Sequence, residues 1–314
     1  MEYLMTLKVN LELLEFDRRA NLKLFIIMCV CVPLISYILN GFTQKLQPDN
    51  LFVGLEVYIQ IFLWVSLLLP HFMYNRFYKS HVLPILIKSL SNFKLGTSEY
   101  PLSKVRNILK SCDICPDFKM IDFDDFFTGE IDGVGLTFAE VSLKNENSNI
   151  FHGCAILIEM PTCFDVEMIL KSPAWNIDFL NKSRGSYKRI KMVNQQFEGR
   201  FDVYGSDNVL VYNFLTPDVV ESIITVYDRF KLLFTGTFFS RVRRKTGKNQ
   251  MCVQVHDNQI LMLVPTGRDL FESSGLFKSV YKSKNIEHMA ECLEAIINTV
   301  YALKLVEPEL RKMK

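Results

Sequence analysis

Two stretches near the start of the chain are almost free of polar residues. The first, "LKLFIIMCVCVPLISYILNGF", has no charge between Lys23 and Lys45. Its apolar run over 22–39 is about long enough to cross a hydrocarbon layer of roughly 30 Å at about 1.5 Å per helical residue. Pro33 sits inside it, which a membrane helix tolerates where neighbouring groups satisfy the freed carbonyl. The second, over 51–74, reads "LFVGLEVYIQIFLWVSLLLPHFMY" and contains Glu56 and Gln60. The connection "NGFTQKLQPDN" is short and rich in turn formers, with Pro48, Asp49 and Asn50 preparing the next helix. The pattern predicts a transmembrane helical hairpin over 22–74, preceded by a polar segment over 1–21.

Past the hairpin the period is first helical. Val82, Ile85, Leu86, Leu90 and Phe93 share a face of a juxtamembrane helix, and Val105, Ile108 and Leu109 share a face of a short helix starting at Ser103. From Phe127 the pattern alternates. Leu136 and Phe138 point one way, while Thr137, Ala139, Val141 and Leu143 point the other. "IFHGCAILIEM" is nearly all apolar and reads as a central strand, buried on both faces. "FDVYGSDNVLVYNF" reads as a strand, a turn at 205–208 and a second extended segment.

"LTPDVVESIITVYDRF" predicts a helix with Thr216 as N-cap and Pro217 at the first helical position, burying Val219, Val220, Ile223, Ile224, Tyr227 and Phe230. Strands are expected at "KLLFTGTFFSRV", "QMCVQV" and "QILMLVPT". A last helix opened by Asn285 buries Ile286, Met289, Leu293, Ile296, Ile297 and Val300. A helical linker over 75–126 therefore leads to an α+β domain over 127–314, with a mostly antiparallel sheet and late packing helices.

Composition and charge sharpen this picture at two points. The chain is 49% hydrophobic over 314 residues, high for a soluble protein, and the excess lies in the two apolar runs. Lys8, Arg18, Arg19 and Lys23 precede the first run, and Arg76, Lys79, Lys88 and Lys94 follow the second. The loop between them has only Lys45. By the positive-inside rule both termini and the large domain face the cytosol. The eight cysteines are then expected as thiols. A formal net charge of +2 points to no strongly charged partner for the whole chain.

The order of motifs "FTGEIDGVGLTFAEVSL", "IFHGC", "FEGRFDVYGSDNVLVYNFLTPDVVESI" and "DLFE", over roughly 127–306, resembles a bacterial family known as domain of unknown function 3137. The connection "MPTCFDVEMILKSPAW" departs from the family pattern. The resemblance implies two-pass proteins of the bacterial inner membrane with a cytosolic C-terminal domain. It implies no reaction.

Candidate chemistry is sparse. Gly129, Gly133 and Gly135 precede a strand rather than a helix, so "IDGVG" reads as a hairpin turn and not a phosphate loop. Glu140 shares the face of Leu136 and Phe138. It is the candidate buried acid, expected to make an ion pair or anchor a turn, with no evident partner for acid catalysis. Cys112 and Cys115 are half a zinc site, with no second pair at ligand spacing. His152 and Cys154 lie on one strand face without a third member. Glu56 is the one acid of the second apolar run and raises a transport reading. Arg241, Arg243, Arg244, Lys245 and Lys248 crowd a predicted hairpin tip, where they are expected to be solvated and to meet an anionic leaflet. Aromatic residues are not interleaved there, so no nucleic acid is expected.

These readings assign no catalytic residue, cofactor or metal. They favour a membrane-anchored binding or scaffold module whose partners are the bilayer and another protein or a second copy. The alternatives are a membrane-surface enzyme with its site near Glu140 and a transport or channel subunit using Glu56.

Overall fold

The computed structural model describes residues 2–44, 51–88, 94–95, 99–146, 148–173, 187–234, 251–266, 270–273, 275–282 and 285–311. It divides into two compact units: Met1–Ile85 with Glu272–Ile286, and Leu86–Phe271 with Glu287–Lys314.

The first unit is helical. Helix α1 (Glu2–Thr43) runs without a break through Pro33, so the polar segment over 1–21 and the first apolar run form one helix. The second run does break. Helix α2 (Leu51–Ser66) ends in a tight turn, with Leu67 N–H on the Trp64 carbonyl and Leu68 N–H on that of Val65. Helix α3 (Leu69–Lys88) then restarts. Pro70 explains the interruption, because it has no N–H for the Ser66 carbonyl and its ring crowds that turn. The juxtamembrane helix expected after residue 81 is the continuation of α3, through Pro84.

Two helical stretches, Leu11–Thr43 and Leu55–Val82, are long and apolar enough to cross a membrane. Their apolar side chains stand outward: Val30, Ile38, Phe62 and Trp64 are all exposed. Between them, Gln60 donates to the Ser36 carbonyl at 3.2 Å and to Glu56 at 3.3 Å.

A turn from late in the chain belongs to the same unit. Glu15 takes both arms of the Arg18 guanidinium, at 2.7 and 3.0 Å, and also accepts from Val280 N–H at 3.0 Å and Ser279 Oγ at 3.1 Å. Arg18 donates in turn to the Leu276 carbonyl. Glu15 and Arg18 are buried, which fits a pair whose charge is answered on every side.

The described residues of the second unit are built on nine antiparallel strands in the order β1-β2-β3-β4-β9-β8-β5-β7-β6. They are β1 (Lys94–Leu95), β2 (Met120–Ile131), β3 (Val134–Asn145), β4 (Ser148–Glu159), β5 (Met168–Lys171), β6 (Lys188–Ile190), β7 (Asp202–Gly205), β8 (Cys252–His256) and β9 (Gln259–Pro265). The expected strand β4 is interior, between β3 and β9. Gly153 lets β9 come close, since a Cβ there would lie 2.2 Å from the Val264 carbonyl oxygen.

The "IDGVG" turn is a two-residue hairpin. Ile131 pairs Val134, and Asp132 and Gly133 have φ of 48° and 85°, the conformation that favours Asp-Gly. The alternating residues divide as expected. Ala139, Val141 and Leu143 join Leu157, Leu261 and Leu263 in one core, which Val105 and Leu109 of helix α4 (Glu99–Ser111) cover.

Three local readings are corrected. The long strand expected from Phe127 begins at Met120, as β2. Residues 208–214 form a helix, α6 (Asn208–Phe214), rather than an extended segment. Asp207 caps it by accepting from Val209 N–H at 2.7 Å and Leu210 N–H at 3.1 Å. It follows the short helix α5 (Gln195–Glu198). Helix α7 (Pro217–Phe234) carries its period through 231–234, where a strand was expected. The start of α7 is as read, with Val219 N–H on Thr216 Oγ1 at 3.5 Å. Helix α8 (Asn285–Arg311) closes the described chain and buries Met289, Leu293, Ile296 and Val300.

Candidate functional site

The polar groups of the second unit converge on one face of β2, β3 and β4. Along β2 the apolar residues packed on the α4-covered core are Ile121, Phe123 and then Phe126, so the alternation slips by one residue. A β-bulge lies at that slip. Phe123 pairs Val141 and Phe126 pairs Ala139, which leaves Asp124 and Asp125 together opposite the single residue Glu140. A bulge of this kind turns both inserted side chains toward the face of the residue they oppose. The three carboxylates come within 4.8 Å of one another, with Asp124 exposed, Asp125 half-buried and Glu140 buried.

Glu140 is the most constrained of the three. It is 1% exposed, and its Oε1 accepts the Leu270 backbone N–H at 2.9 Å. This hydrogen bond ties β3 to the turn at Leu270. The next residue, Phe271, sets its ring edge-on to Phe138 at 5.6 Å and Phe127 at 6.3 Å, and those two rings stack at 4.8 Å. The carboxylate and the aromatic trio hold adjacent residues of one turn.

The same face continues onto β4. Cys154 stands opposite Glu140, and His152 stands opposite Ser142, with its Nδ1 2.7 Å from the Ser142 hydroxyl. Burial pushes the Cys154 thiol well up, with the Glu140 and Cys292 charges adding to the effect. Burial also pushes the Cys292 thiol up to about 12 and raises that of Cys252. Neutral, desolvated thiols of this kind are poor nucleophiles.

Chemically, the three acids form a set of oxygen donors suited to a hard divalent cation rather than to zinc. In the sequence Glu140 stands without an evident partner. The signal for Asp124 and Asp125 was the one-residue slip in "MIDFDDFF". The other candidates do not gather here. Cys112 follows α4 and Cys115 is buried in the α4-covered core, neither of them in a disulfide. Glu56 lies on α2 in the first unit. Arg189, on β6, pairs with Asp202 at 2.7 Å and Glu198 at 3.4 Å. Arg241, Arg243, Arg244, Lys245 and Lys248 lie outside the described residues.

Residues 149–305 match the model of the family described as "Protein of unknown function (DUF3137)", and the chain belongs to that family. Among solved structures it is similar to the crystal structure of the mycobacterial trehalose monomycolate transport factor A, TtfA. That likeness has 12% identity, covers 70% of this chain and 94% of that one, and gives a TM-score of 0.31. No curated protein matches the chain.

Proposed function

We propose that the protein is a membrane-anchored module of the bacterial inner membrane whose cytosolic α+β domain binds another protein or a membrane component and catalyses no reaction of its own. The observation that carries this reading is the pairing of two apolar, outward-facing helical stretches with a sheet domain. In that domain Glu140 anchors the Leu270 turn, while burial keeps the Cys154, Cys252 and Cys292 thiols neutral. The arginine and lysine distribution supports a cytosolic domain.

The test is photo-crosslinking in native membranes. A photoreactive residue at Val193 or Val209, both exposed apolar positions of the sheet domain, should give a discrete adduct at each position, with one and the same component. Diffuse labelling that matches random collision would sink the binding reading.

The convergence of Asp124 and Asp125 on Glu140 favours a second reading, chemistry at the membrane surface around Glu140. The double variant Asp124→Asn/Asp125→Asn separates the two. The binding module should keep its adduct, whereas an enzyme should keep the adduct and lose its cellular function.

A further inference from the structure

The turn that Glu15 and Arg18 hold has a second face. Leu276 and Val280 point inward and are buried, while Phe277, Lys278, Tyr281 and Lys282 stand outward. Phe277 is 77% exposed, unusual for a phenylalanine in a turn held by three polar contacts from Glu15 and Arg18. Its ring nevertheless has one defined neighbour, standing edge-on to Phe25 of α1 at 5.5 Å.

Phe25 begins the uncharged part of the first apolar stretch, two residues after Lys23. The residues beyond it, Ile26, Ile27 and Val30, are exposed in the same way. Phe277 therefore extends an outward apolar surface at the level where charge gives way to hydrocarbon. Tyr281 is an aromatic of the kind that seats at a headgroup boundary. Lys278 and Lys282 are exposed cations beside it, with stems long enough to reach lipid phosphate.

We propose that residues 276–282 form an interfacial lipid-binding element. Phe277 and Tyr281 enter the boundary between headgroups and acyl chains around the first span, and Lys278 and Lys282 meet anionic phosphates there. Glu15 and Arg18 fix the turn so that its apolar pair faces the helices and its aromatic and basic pairs face lipid. A segment from late in the chain thereby joins the membrane beside the N-terminal helix. The inference rests on the reading of α1 as a membrane span.

The experiment uses the full chain in vesicles containing phosphatidylglycerol, with Trp64 and Trp175 replaced by phenylalanine and Phe277→Trp as the reporter. The introduced indole should lose more emission to lipid brominated high on the acyl chain than to lipid brominated near its end. Adding Lys278→Ser/Lys282→Ser should cut the docked population by about fivefold per lysine, equivalent to about 1 kcal/mol each near an anionic surface.

A control chain keeps only Trp64, which is exposed on α2. If Trp64 is quenched by brominated lipid and the indole at position 277 is not, the lipid contact is wrong while the spans stand. If neither is quenched, the spans and the lipid contact fall together. Shielding from aqueous iodide without quenching by lipid would mean that protein covers this face, and would also overturn the proposal. Should Phe277→Trp fail to accumulate, Tyr281→Trp reads the same contact.

Discussion

At the scale of single residues, two buried carboxylates do opposite jobs with the same chemistry. Glu15 answers a neighbouring guanidinium and a backbone N–H, whereas Glu140 answers the Leu270 N–H from within a cluster of acids. Glu15→Ala leaves the buried Arg18 uncompensated, and is expected to cost about 3–5 kcal/mol and expose the turn at 276–282 to protease. Limited proteolysis of the full chain in detergent reads this, and an unchanged cleavage pattern would refute it. Glu140→Ala should cost about 1–3 kcal/mol by orphaning the Leu270 N–H, and Glu140→Gln roughly half as much, because an amide oxygen still accepts. Equal losses for the two variants would show that charge, not the hydrogen bond, holds the turn.

The buried thiols set the pH response. A thiol held protonated by burial contributes stability that is fully present below its unfolded value and is lost as pH rises through its folded one. For Cys292 the window runs from the ordinary 9.0 up to about 12. Thermal stability of Cys292→Ala should therefore fall less steeply than that of the parent across that alkaline range. Parallel curves would mean that Cys292 does not titrate with unfolding.

At the scale of elements, legibility in the sequence depended on whether a signal was local. The Asp-Gly hairpin, the α7 cap and the interior strand β4 all follow from a few adjacent residues, and each forms where the pattern places it. Helix α6 shows a local signal outvoted. "NVLVYNF" is rich in β-branched and aromatic residues, which favour strand, yet Asp207 satisfies the free N–H groups of Val209 and Leu210 and the short helix forms. Asp207→Ala should destabilise the domain by about 0.5–2 kcal/mol. A change within experimental error would mean that packing of Val211 and Phe214 alone holds α6. The meeting of Asp124 and Asp125 with Glu140 and the Glu15 clasp were not legible for a different reason. Each joins residues distant in the chain, 15 to 16 positions apart for the acids and 265 for Glu15 and Val280, and no single window of sequence contains both partners.

At the scale of the whole molecule, orientation decides what every other feature can meet. Four basic residues precede the first apolar run and four follow the second, against Lys45 alone between them. That distribution favours a cytosolic domain, because cationic flanks resist translocation. The proposed lipid contact of Lys278 and Lys282 would then fall on the leaflet richest in anionic lipid. Single cysteines placed in an otherwise cysteine-free chain test this in intact cells. A cysteine at Gln44, exposed just after α1, should react with a membrane-impermeant maleimide, while cysteines at Arg76 and at exposed Lys278 should react only after permeabilisation. Labelling at Lys278 in intact cells, with Gln44 silent, would invert the orientation and move the whole sheet domain to the other side. Labelling at both would mean that one of the two apolar stretches does not cross, and that the chain has a single anchor.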